Sequence, residues 1–470
     1  MSIYKYRSYI TNENGKNYDK EGLEKSEIYF SDLAKLNDPM EGFIDIFYQG
    51  DLVIWKNFFR NYIRSLYDSV VFAICPQSIP DAPKNVFEPI VPFYQWYTDS
   101  FEHLLQIEWF NKIPKRFLEN ESIVSLLECI PEQKVSEEEL KFILKSIHFT
   151  ALEIVFTDLQ KIGVLKPITE LIKNIKPIDW RFFFELKEDR QIISKKFAQY
   201  DASLLVLPIR PENKYLLIDF PYLFIKRLKT VMYPDYYVSC FSRNPKNSSM
   251  WGNYANNHRG ICLIFKDNDK MQICAPHGAS NDGILYNWMD YEFQTIEYTN
   301  MPKEINFFET IGNMSKGIFN KLWLTDFDTQ EKSKVKLIND KTRETYWTNR
   351  YLDFCRKTTD WKYEEECRLI IRDVPLVFNL IDDKSRCIKY HFKDLEGIIF
   401  GLKMSDNDKQ EIIEVIYNKC IEENRSEFKF YQAYFNKQNG CIDSYEIPIK
   451  FTSTSHSTTH QTHPQQNEQV

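Results

Sequence analysis

Acidic, basic and hydroxylic side chains recur where this sequence takes on strand-like patterning. In Trp361–Arg372 (WKYEEECRLIIR), Glu364, Glu366 and Arg368 stand two residues apart. Side chains of a strand alternate with a period of two, so all three would project from one face. Neighbouring carboxylates repel, and a guanidinium beside them holds at least one ionised. An ionised carboxylate about 4 Å from a growing positive charge contributes on the order of 4 kcal/mol at an effective dielectric of 20, roughly a thousandfold in rate. Arg7, in IYKYRSY near the start, carries a planar fork that suits phosphate oxygens. Between Tyr236 and Phe265 the polar residues Ser242, Asn253, Tyr254, Asn256 and His258 collect between two strand-like ends, where a cleft would be lined. Trp251 and Tyr254 offer a stacking surface there.

Each of these residues also has a plain structural explanation. The Glu-x-Glu-x-Arg run reads equally as a surface ladder, Arg7 as an ion-pair partner of Glu41, and Trp251 as core. Ser242 at the end of a strand reads as a turn residue, and His258 as a ring bonded to a backbone carbonyl. Their joint appearance in three strand-like segments is what raises the set above its members.

The elements that would hold these residues follow from periodicity. Residues 3–9 alternate as a strand, Glu27–Ser31 gives a second, and Asn37-Asp38-Pro39 signals a turn. From about 50 to 200 the pattern becomes helical. Its clearest helix opens at Ser136, a capping box with Glu139, and carries one apolar stripe up to Gly163. Pro76–Pro92, with five prolines, reads as a loop. Strand character returns at Leu204–Leu207 and Tyr215–Ile218 and then in the central stretch, where Ser248 or Ser249 caps a short helix. Residues 266–290 read as loop-rich and about 303–357 as helical. A closing β-α-β comprises Gly397–Gly401, a helix capped near Ser405, and a strand at 427–434. The expected division is 1–48 plus 201–450 as an α+β core, 49–200 as a mainly helical insertion, and 451–470 as a disordered tail. Ser453–Val470 lacks the apolar residues to bury a core.

The 470-residue chain is long enough for two or three domains. A net charge of −7 argues against a broad basic footprint for duplex nucleic acid. The basic stretch 331–357 reads as a solvated helix face. No apolar run reaches membrane-span length, and the start lacks a signal peptide's core, so no membrane association and a cytoplasmic location are expected. The ten cysteines show no C-x-x-C pair and read as reduced thiols.

Four blocks together resemble the bacterial "domain of unknown function 2971" family. They are Tyr4-Lys5-Tyr6-Arg7-Ser8, Asn37-Asp38-Pro39-x-Glu41, Cys240-Phe241-Ser242 with Met250-Trp251-x-x-Tyr254-Ala255 and His258-x-Gly260, and Trp361-x-x-Glu364-x-Glu366-x-Arg368. The resemblance spans residues 1 to about 45 and 235 to 435. A looser likeness is to ADP-ribosyltransferases, in the order of an early strand with Arg or His, a middle strand with Ser or Tyr, and a late strand with Glu-x-Glu. It implies an α+β fold with a split antiparallel sheet, here interrupted by the helical insertion, and an enzyme that uses NAD as substrate. In that likeness Glu366 acts on the ribose hydroxyl and cation, and Glu364 orients or deprotonates an acceptor. Arg7, Ser242, Trp251, Tyr254 and Arg368 bind the dinucleotide.

The function expected is transfer of ADP-ribose to a protein or nucleic-acid acceptor, or NAD hydrolysis, in a toxin or phage-defence setting. Two alternatives stand beside it. One is a metal-dependent nuclease using Asp38, Glu41, Glu364 and Glu366 as Mg²⁺ ligands. The other is a non-catalytic sensing module that recognises a protein partner through its helical insertion. The site residues themselves are expected to need no metal.

Overall fold

The computed structural model describes residues 2–74, 108–161, 163, 178–187, 189–204, 214–232, 235–266, 268–280, 283–309, 320–335, 352, 354–373 and 384–449. The Pro76–Pro92 loop, most of the basic stretch 331–357 and the expected disordered tail lie outside these residues. The fold is mixed α+β, and the chain divides into two compact units. One takes its described residues from 1–41, 236–300 and 355–470, the other from 42–235 and 301–354. The sequence reading placed the boundaries at 48/49 and 200/201. At 42–48 the difference arises because Lys303–Asn306, within the range read as helical, is a strand that pairs in parallel with Ile44–Tyr48, and at 201–235 because Phe220, Phe224 and Leu228 pack into the helical unit's core.

The second unit is built on helices. The capping box is as read: Ser136 N donates to Glu139 Oε2 at 2.7 Å, and Glu139 N to Ser136 Oγ at 3.3 Å. The helix Glu137–Lys161 then buries Leu140, Ile143, Leu144, Ile147 and Ala151. Tyr215–Ile218, expected as a strand, is a helical turn, Tyr215–Asp219, running into the helix Phe220–Met232. Phe220, Phe224 and Leu228 recur at a helical spacing and are all buried, and this longer periodicity overrides the short apolar run. Leu204 ends the helix Asp189–Leu204, and the rest of the strand expected there lies outside the described residues.

The first unit carries a large sheet in the order Gln294–Thr295, Glu366–Arg372, Tyr236–Ser242, Ile3–Arg7, Ile261–Phe265, Leu395–Phe400, Lys429–Asn436 and Cys441–Ile447. Neighbours are antiparallel except Leu395–Phe400 with Lys429–Asn436, whose parallel pairing requires the intervening helix Asp406–Glu422. Ser405 caps that helix, accepting from Asp408 N. A second sheet joins Glu27–Tyr29, Cys387–Tyr390, Lys270–Ser280 and Gly283–Glu292. Residues 266–290 therefore form mostly a long hairpin, not a loop-rich section. The turn signals Pro276 and Gly278 flank a register shift inside a strand, while Met271, Ile273 and Ala275 alternate into the core.

One feature of the large sheet sets up the site. Tyr236–Ser242 pairs along its whole length with Glu366–Arg372, from Tyr236↔Arg372 to Ser242↔Glu366. On its other edge Tyr4↔Ser242 is the single registered pair with Ile3–Arg7, and Ser31–Asp32 covers Val238 and Tyr237. Ser239–Phe241 is left as a gap in the ladder. Lys5 reaches into it, its Nζ donating to Ser239 Oγ and to Cys240 O, each at 2.8 Å. A strand carbonyl that lacks a ladder partner is thereby satisfied.

Candidate functional site

A hollow of about 230 Å³ opens at this gap, and every residue lining it belongs to the first unit. Arg7, Ser242, Tyr254, Glu364 and Glu366, five of the residues singled out from the sequence, line it. Trp251 and Arg368 do not. Trp251 is fully buried, its Nε1 donating to Pro245 O at 2.8 Å and its ring set edge-on to Tyr6. With no free face it cannot stack on a ligand, and the binding role read for it is withdrawn. Arg368 is also fully buried, and its guanidinium serves carboxylates instead of a ligand.

The late strand differs from its sequence reading in an instructive way. Glu364 ends a 3-10 turn, Thr359–Glu364, and Glu365 takes a left-handed φ of 43° before the strand begins at Glu366. Strand alternation therefore explains only Glu366 and Arg368. Cys367, Leu369 and Ile371 enter the apolar core, which leaves Glu366 and Arg368 on the opposite face. Glu364 is brought in by the turn. Ser242 pins that turn, its Oγ donating to Glu364 O at 2.7 Å while accepting from Asn244 N at 3.0 Å. A serine hydroxyl has one proton, so only a remaining lone pair of Ser242 is left for a ligand.

Around the two glutamates lies a buried charge cluster. Lys357 Nζ stands 2.8 Å from Glu41 Oε1, 2.6 Å from Glu364 Oε2 and 3.1 Å from Glu366 Oε2. Arg368 binds Glu366 with Nε at 2.5 Å from Oε1, and with its terminal nitrogen at 3.0 Å from Oε2. The same terminal nitrogen lies 3.0 Å from Glu41 Oε1. Three carboxylates thus share two cations, an arrangement tolerable out of water only because every carboxylate stands within ion-pair distance of at least one of them.

The carboxylates are not equivalent. Burial pushes the Glu366 carboxyl up, but Arg368 and Lys357 outweigh it and hold it at about 2. Burial raises Glu364 above the usual carboxylate range, with Lys357 and Tyr254 only partly offsetting it. Burial likewise raises Glu41. Glu366 is therefore the fixed negative charge, and Glu364 is the more readily protonated of the pair. Tyr254 OH donates to Glu364 Oε1 at 2.5 Å and accepts from Asn37 Nδ2 at 3.0 Å, which links Glu364 to the exposed rim.

Sequence reasoning missed the partners of these groups. Arg7 meets Asp19, Nε to Oδ1 at 3.5 Å, and Glu41 belongs to Lys357 and Arg368. Lys357 sits at the end of the basic stretch read as solvated, yet it is 4% exposed. The Asn37-Asp38-Pro39-x-Glu41 turn was the available signal, because each of its polar side chains serves the cluster. Asn37 holds Tyr254, Asp38 Oδ2 accepts from Thr358 N at 2.6 Å, and Glu41 closes the ion network.

His258-x-Gly260 holds backbone together. His258 has a φ of 68°, and its carbonyl accepts from Lys403 N at 2.8 Å. A Cβ on Gly260 would stand 2.0 Å from Arg7 O, so only glycine lets this loop approach the first strand. The helix after Ser242 is capped by Asn247, one residue before the serines expected to do so, its Oδ1 accepting from Ser249 N at 2.8 Å.

Among the described residues no group of three or more His, Cys, Asp and Glu is arranged to hold a metal ion. Asp38 is committed to Thr358, and the ammonium of Lys357 occupies the point where Glu41, Glu364 and Glu366 converge. The donor set read for Mg²⁺ does not fit that ion. No described helix is long and apolar enough to cross a membrane.

No curated protein and no solved structure matches the chain. A family match falls on the segment carrying Tyr254, Lys357, Glu364, Glu366 and Arg368, while the Tyr4, Asn37 and Cys240 blocks lie outside it. Residues 250–369 match the family described as "Protein of unknown function (DUF2971)".

Proposed function

We propose that the hollow binds NAD and breaks its nicotinamide glycosidic bond, as an ADP-ribosyltransferase-like enzyme or NAD glycohydrolase. The observation that carries this reading is that Arg7, Ser242 and Glu366, from three segments far apart in sequence, line one hollow at a break in the sheet ladder. In the proposed step the C1′–N bond breaks and its electron pair leaves with nicotinamide. Positive charge grows on the ribose, where the fixed charge of Glu366 favours it electrostatically. An acceptor hydroxyl or water then bonds to C1′ and gives its proton to Glu364, whose raised pKa suits a proton acceptor. The hollow lies below the roughly 300–1,000 Å³ of small-molecule sites, so it would take the nicotinamide riboside half, with the adenosine outside. Loss of cellular NAD would suit a toxin or defence role.

The test is incubation of the purified protein with NAD labelled in the adenosine half, in buffer and in cell lysate. Nicotinamide release with label reaching protein or nucleic acid supports transfer, and release with free ADP-ribose supports hydrolysis. No release in either condition refutes the enzyme.

A second reading is favoured by one observation. Both oxygens of Glu364 and both of Glu366 already have partners, as befits a non-catalytic pocket that senses a ligand. Saturable NAD binding without turnover supports it.

A further inference from the structure

Lys5 carries a feature that the proposed chemistry leaves unused. It lines the hollow, yet it is 7% exposed, and among the described residues no carboxylate stands within ion-pair distance of its ammonium. Its three N–H groups have two hydrogen-bond acceptors, Ser239 Oγ and Cys240 O, and the ammonium lies 4.5 Å from the centre of the Phe241 ring. The other buried cations of this site, Lys357 and Arg368, are each matched to two or more carboxylates. Arg7 follows two residues along the same strand face, also lines the hollow, and among the described residues has a single ion pair, at 3.5 Å with Asp19. A buried cation without a counter-ion is costly, and a bound anion would remove the cost.

We propose that Lys5, with Arg7, forms an anion-binding floor to the hollow that selects ligands carrying a phosphate or diphosphate. The inference rests on the reading of the hollow as a ligand site and goes beyond it, since it names a recognition residue and a chemical class. The charged form of Lys5 is disfavoured first by burial and then by Arg7, which brings its pKa down to about 7, while Cys240, Glu366 and Asp19 act the other way. Those groups face it from its own strand, from Tyr236–Ser242, from Glu366–Arg372 and from the helix Tyr18–Lys25. Binding an anion then draws a proton onto Lys5, and affinity weakens as pH rises above about 7.

The test measures binding of ADP-ribose, a diphosphate diester ionised throughout the range, and of nicotinamide riboside, which lacks phosphate, to the full chain between pH 6 and 9. The expected result is tighter ADP-ribose binding at pH 6 than at pH 8.5 by on the order of tenfold, with the riboside unaffected. In Lys5→Met the ADP-ribose affinity falls on the order of tenfold and its pH dependence flattens, whereas Lys5→Arg keeps the affinity and also loses the pH dependence. Should Lys5→Met fail to fold, the pH series on the unaltered protein and Lys5→Arg still decide. No ADP-ribose binding, or a pH-independent affinity, overturns the inference. If ADP-ribose binds as expected but NAD is not turned over, the enzyme reading fails and this one stands. If NAD is turned over and Lys5→Met weakens both ligands equally, this one fails alone.

Discussion

Each unit buries a polar cluster, and the two clusters are built on opposite principles. In the helical unit His148 is enclosed by its partners, with Tyr62 OH at 2.7 Å from Nδ1 and Leu216 O at 2.7 Å from Nε2. Burial pushes the imidazole down to about 4, so it is neutral and satisfied on both nitrogens. In the sheet unit Glu41, Glu364, Glu366, Lys357 and Arg368 form an ion network while buried, and the glutamates and Lys357 form the wall of an opening. Burial of a polar group alone therefore does not mark a site. Ionised groups held at the edge of a hollow do, because their field acts on whatever enters it.

The largest effect expected is from Lys357→Met, which leaves three buried carboxylates with Arg368 alone. Removing one partner of a buried ion network costs about 3–5 kcal/mol, measurable by urea denaturation. The remaining carboxyls lose a favourable charge and their folded-state pKa values rise. That destabilises the variant above their unfolded values and is relieved as pH falls, so the deficit should be smaller at pH 5 than at pH 8. A deficit independent of pH would show that the cluster is not electrostatically coupled.

Next comes the contrasting cluster. His148→Phe deprives Tyr62 and the Leu216 carbonyl of their partner, with an expected loss of about 2 kcal/mol and no change in ligand binding per folded molecule. The depressed folded pKa of His148 also predicts that stability, full above about 6.5, falls as pH drops towards 4, because the unfolded state binds the proton more readily. The variant should lose this slope. If it also lost ligand binding, the division between the two clusters would fail.

The smallest effect is that of Tyr254→Phe. It removes one hydrogen bond to Glu364, at about 1 kcal/mol, and the Glu364 carboxyl should titrate still higher, visible by carboxyl-resolved NMR. An unmoved titration would mean that Tyr254 does not set the proton affinity of Glu364.

Much of this was legible in the sequence where local signals agree with the fold. The Ser136 capping box, the Ser405 cap and the strand character of Tyr236–Ser242 were readable from spacing and composition, whereas the pairing that sets Ser242 opposite Glu366 was not. What escaped depends on distant segments. Lys357 looks like any lysine of a basic run, and only its two-residue strand beside Glu297–Tyr298 carries it under the glutamates. Trp251 and Arg368 have the right chemistry for ligand binding, but core packing and Glu366 consume them. Glu364 reached its place through a left-handed turn at Glu365 that no alternation rule foresees.

The central proposal is that the charge of Glu366 drives cleavage of NAD, and Glu366→Gln tests it most directly. Because Arg368 holds Glu366 by two hydrogen bonds, the variant will lose stability as well, so nicotinamide release must be compared at equal concentrations of folded protein. The predicted result is release by the unaltered protein and a loss of about a thousandfold in the folded variant. Equal rates in the two, or no release from either, would contradict it.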